Sequence, residues 1–99
     1  MSFVVTHPES LASAAGDLQG IGSAVQAQSN AVATPTTAMA APASDAVSIS
    51  IATLFNANGA LFQSVAAQAA AVNQMFVATL NSGGASYAAA EAANVVAAS

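Results

Sequence analysis

The chain has 99 residues with four carboxylates, Glu9, Asp17, Asp45 and Glu91, one histidine, and neither lysine nor arginine, for a net charge of −4. Without a cation it cannot neutralise phosphates, which argues against nucleic acid as a partner and against attraction to anionic membrane surfaces. Cysteine is absent, so there is no disulfide framework and no thiolate zinc site, and much of the 56% hydrophobic content is alanine, which favours helix but supplies little core volume.

The opening MSFVVTHPE lacks the basic region and long apolar run of a secretory signal peptide. No apolar stretch reaches the ~18 uninterrupted residues of a membrane span. The first predicted helix begins near Pro8, where the missing N–H costs nothing. His7 is one candidate for its N-cap; a Thr6-x-x-Glu9 capping box one residue earlier is the other. His7 has no neighbouring group for chemistry and reads as structural.

Leu11, Leu18, Val25 and Val32 then recur every seven residues, with Ile21 between them and Ala14, Ala15 and Gly22 filling in. This is a coiled-coil-like seam with large residues over an arc of about 80°. Gly16 and Gly20 have the small-xxx-small spacing of closely packed helices. Thr34-Pro35 predicts the end of this helix near residue 34. The proline-bearing stretch 35–44 reads as a connection, and Asp45 as the N-cap of a second helix over about 45–81.

That second helix carries Val47, Ile51, Leu54, Phe55, Leu61, Phe62, Val65, Val72, Met75, Phe76 and Leu80 at helical spacing. They span an arc of about 160°, wider than the ~100° stripe of an ordinary surface helix. Asn58 falls near the middle of this face and Gln68 near its edge; buried polar groups in such a seam specify register, though partial exposure explains them equally. Asn81-Ser82-Gly83-Gly84 predicts a stop, followed by an alanine-rich tail, helical or disordered. The fold expected is all-α, an antiparallel two-helix hairpin. Because the wide face exceeds what the first helix can cover, a strip of large apolar side chains should stay exposed as an interaction surface.

The opening MSFVVTHPE with Pro8-Glu9, the glycine-punctuated first helix, Asp45-x-Val47-Ser48, Phe76-Val77-x-x-Leu80 and Tyr87-x-x-x-Glu91 together resemble the mycobacterial PE family over the full chain. The resemblance is to its short members, with a PE domain over 1–84 and a tail over 85–99. It implies a four-helix bundle completed by a PPE-family protein in an obligate heterodimer. It also implies export by type VII secretion to the cell surface or medium, with an EspG-type chaperone acting on the PPE partner. The family's Tyr-x-x-x-Asp/Glu secretion signal would fall on Tyr87 and Glu91, four apart on one helix face. A tail tyrosine that merely packs on the bundle end, beside an incidental glutamate, is the alternative.

The expected partner interface comprises Leu11, Leu18, Ile21, Val25, Ile51, Leu54, Phe55, Asn58, Leu61, Phe62, Val65, Val72, Met75, Phe76 and Leu80, and the expected helix caps are Thr6, His7 and Asp45. No cofactor and no small-molecule substrate is expected. Serines without a suitably placed histidine and acid form no catalytic triad, and four scattered carboxylates form no metal cluster. Two alternatives to the heterodimer are a membrane-active amphipathic hairpin and a self-associating homo-oligomer, the former weakened by a polar face without Lys or Arg.

Overall fold

The computed structural model describes residues 4–99 and is all-helical, with two helices, α1 (Pro8–Thr37) and α2 (Ala46–Ala98), and no strand among the described residues. The helices pair as a hairpin in two compact units, one joining Met1–Gly22 to Val72–Ser99 and the other spanning Ser23–Ala71.

In the unit Ser23–Ala71, the pairing is antiparallel. Ser29 meets Gln63, Thr36 meets Gly59, and Met39 in the connection meets Asn56. The seam is built from small and polar residues. Ala52, buried to 6% exposure, and Ser29, to 8%, lie on it with Gly59. A Cβ on Gly59 would run into the Thr36 carbonyl, so the two backbones touch here and only glycine permits it. Gln63 Nε2 donates to the Ser29 carbonyl at 2.9 Å. Asn56 grips the connection from both sides, accepting the Met39 N–H at 2.7 Å and donating to the Met39 carbonyl at 3.0 Å.

The other unit follows the same rule. Ala15, 1% exposed, is its buried apolar side chain, with Leu11, Leu18, Gly22, Asn73, Val77 and Leu80 half-buried beside it. A Cβ on Gly22 would press on the Asn73 amide at 2.5 Å, and one on Gly84 would meet the Pro8 carbonyl at 3.2 Å and Leu11 Cβ at 3.5 Å. Each unit therefore closes by backbone proximity and scattered hydrogen bonds, with almost no large side chain sealed inside.

Two helix ends and one seam differ from the sequence expectation. The second helix does not stop at 81–84 but runs to Ala98. No described glycine has a positive φ, so Gly83-Gly84 makes no left-handed cap; Gly84 instead supplies the close approach to α1, and the alanine-rich stretch beyond propagates the helix. The first helix passes through Pro35 to Thr37 rather than ending near 34. Pro35 is exposed and sits in the last turn, where the one bond it forgoes, to the Ala31 carbonyl, lies close to the helix end; Thr36 Oγ1 and Thr37 Oγ1 bond back to Val32 O and Ala33 O, both at 2.6 Å. The heptad Leu11, Leu18, Val25, Val32 is not one seam either, since Val25 and Val32 are exposed while Ser29 is buried.

The helix starts are fixed locally. His7 precedes Pro8, and its carbonyl accepts the Ser10 N–H at 3.0 Å; its Nδ1 lies 3.7 Å from Glu9 Oε1 in solvent. Asp45 Oδ1 accepts the Ser48 N–H at 2.9 Å and Oδ2 the Ser48 hydroxyl at 2.8 Å, which is N-cap geometry with a serine at N3. The Ser48 N–H, then its hydroxyl, hold the Asp45 carboxyl below its ordinary value of 3.8. A lowered folded-state value means this contribution is complete above 3.8 and drains as pH falls through the lowered value. Asp45→Asn should keep the cap and remove its titration. Far-UV circular dichroism from pH 5 to pH 2 would then show a shallower loss of helix than in the parent, confined to the first turn of α2.

Candidate partner interface and tail motif

What the seam leaves out is the large apolar set. The chain exposes 7101 Å², about 2,000 Å² more than the ~5,000 Å² expected of a folded monomer of 9.5 kDa. Leu54 and Leu61 are more than 60% exposed, and Phe62 is half-exposed. The origin is the sequence period. On α2 the small and polar residues Ala52, Asn56, Gly59, Gln63 and Ala66 recur three or four apart and take the seam, so the large set, roughly 130° round the helix, is turned away from it.

In the unit Ser23–Ala71, the flanks of both helices lie on one side of the hairpin. Val32 and Thr36 of α1, Met39 of the connection and Phe55, Asn58, Gly59 and Phe62 of α2 enclose a groove of about 410 Å³. Its walls are apolar, with Asn58 as an exposed amide among them. Val25, Ile51, Leu54, Leu61 and Val65 are exposed in the same unit. In the other unit Ile21, Val72, Met75 and Phe76 are exposed, whereas Leu11, Leu18 and Leu80 are turned partly into the seam. Of the two polar positions singled out from sequence, Asn58 lines the groove and Gln68 is exposed elsewhere.

The tail motif lies on α2. Tyr87 is half-exposed. Glu91, one turn on, is partly buried and accepts a hydrogen bond from Thr6 Oγ1 at 3.0 Å. The Thr6 hydroxyl is thus directed across to α2, not to Glu9. Asn56, Gln63 and Thr6 were not legible as contact residues from large apolar spacing alone. A search for small and polar residues at helical period on α2 would have found Asn56 and Gln63; no local signal marks Thr6.

Among the described residues no group of three His, Asp or Glu side chains could hold a metal ion, and no helix is long and apolar enough to cross a membrane. The PE family model matches residues 4–94. The chain belongs to the PE family. It is 52% identical to PE family protein PE13 of Mycobacterium tuberculosis over 99 residues, all of both chains. It is 53% identical to PE_PGRS36 and 53% identical to PE cleavage protein A, both of M. tuberculosis, but covers only 19% and 16% of those chains. The PE chain thus spans the whole of one relative and a small part of the other two.

Proposed function

We propose that this PE chain is a non-enzymatic interaction subunit, one half of a four-helix bundle whose other two helices come from a PPE-family protein. The observation that carries this reading is the division of its residues: small side chains close the hairpin, and nearly all the large apolar ones face outward. Burying apolar surface stabilises at roughly 25 cal/mol per Å², so leaving this set in water forfeits most of the folding drive an independent domain would have. A second helical pair laid along the flank restores it. Family membership supplies the class of partner. Asn58, an amide in an apolar groove, would then fix the register of the partner helix. Within the same reading the pair is exported by type VII secretion, Tyr87 and Glu91 act as its signal, and an EspG-type chaperone acts through the PPE partner.

Co-expression tests it. The chain alone should aggregate or stay molten, and with its PPE partner it should yield a 1:1 helical complex by light scattering and circular dichroism. A monomer that unfolds sharply and cooperatively by itself would overturn the reading; so would a closed homo-oligomer or retention on floated liposomes without any partner. Tyr87→Ala should leave pairing intact and stop export from a mycobacterial host. Normal export of that variant would refute the signal assignment while leaving the heterodimer untouched.

A further inference from the structure

Glu91 differs from an ordinary tail glutamate in being held. Its carboxylate accepts the Thr6 hydroxyl at 3.0 Å, and Thr6 precedes α1, 85 positions away in the chain. The chain has neither lysine nor arginine, so none of its own long basic side chains competes for this carboxylate. Tyr87, one turn back, presents an exposed ring.

From this we infer that Thr6 is a positioning residue for the tail motif, so that the surface a receptor reads is discontinuous, joining the segment before α1 to Tyr87 and Glu91 on α2. The proposal rests on the signal reading above and adds to it. A free glutamate side chain samples many rotamers, and fixing it costs binding energy. Thr6 removes part of that cost before the receptor arrives, and it sets which way the charge points relative to the Tyr87 ring. The receptor chemistry that fits is a guanidinium or ammonium group beside an aromatic or aliphatic pocket.

The test is export of the full chain, epitope-tagged and co-expressed with its PPE partner in a mycobacterial host, compared across Thr6→Val, Thr6→Ser and Tyr87→Ala. Valine keeps the shape of threonine without the hydroxyl; serine keeps the hydroxyl. Thr6→Val should lower the exported fraction about tenfold, the size of one hydrogen bond to a charged group. Thr6→Ser should restore it, with yield and melting temperature of the PE–PPE complex unchanged in both. Wild-type export of Thr6→Val beside a silent Tyr87→Ala would overturn the positioning role alone. A Thr6→Val deficit matched by loss of complex would overturn it too, by assigning Thr6 to hairpin stability. Normal export of Tyr87→Ala would overturn the signal reading and this inference with it.

Discussion

Phe62→Asp should abolish co-purification of the chain with the proposed PPE partner while leaving the helical content of the free chain unchanged. Phe62 is half-exposed and lines the groove with Val32, Phe55 and Asn58, so in the free chain an aspartate there sits in water and costs little. In the proposed complex the same position would be covered. No lysine or arginine on this chain can reach it, because there is none. A carboxylate buried without a partner costs several kcal/mol, enough to weaken binding by a thousandfold or more. The contrast between free chain and complex is the diagnostic part. Equal damage to both would mean that Phe62 belongs to the hairpin's own core. Pull-down yield and far-UV circular dichroism of the same two samples measure it.

Gly59→Ala destabilises the complex, whereas Gly16→Ala stabilises it. Both replace a helical glycine by the best helix former, which by propensity alone is worth up to ~1 kcal/mol in the same direction. Their surroundings separate them. At Gly16 an added methyl meets nothing within 4 Å, and the position is exposed, pointing away from the flank of Ile21 and Val25. At Gly59 the methyl drives into the Thr36 carbonyl, a backbone atom that cannot rotate aside. Opening the seam to admit it costs on the order of 1–3 kcal/mol, more than the propensity gain. Thermal melts of the two variant complexes should therefore shift in opposite directions, by about 2–4 °C per kcal/mol in an assembly of this size. A rise for Gly59→Ala would mean that the helices are not in backbone contact there.

The helical period of the large residues was readable because spacing is a property of one helix. It identified both helices, the Asp45 start and the excess of apolar face. What it could not reveal was which stripe meets which. Leu11, Leu18, Val25 and Val32 read as one coiled-coil-like seam; in the structure Leu11 and Leu18 are half-buried, Val25 and Val32 are exposed, and the buried positions of α1 are Ala15 and Ser29. Glycine carried a similar ambiguity. Gly83-Gly84 reads as a stop when only local conformation is weighed, yet Gly84 is there for the Pro8 carbonyl, a contact made across the hairpin. The proline at 35 forgoes a single bond near the end of α1, and the helix continues two residues past it to Thr37. The Thr6–Glu91 hydrogen bond was not legible, since its two partners lie at opposite ends of the chain.

The separation of seam from flank has a consequence for how such a protein can diversify. Ala52, Gly59 and Ser29 are buried where the helices meet, and Leu54, Leu61 and Phe62 stay half or more exposed. Substitutions at well-separated members of the two sets, such as Ser29 and Leu54, should be nearly additive, whereas Gly59 and Phe62, which line one groove, are close enough to couple. A flank can then be recut to fit a different partner, one methyl or one ring at a time, without the hairpin having to be reinvented. Two chains with the same seam and differently shaped flanks would fold alike and refuse each other's partners.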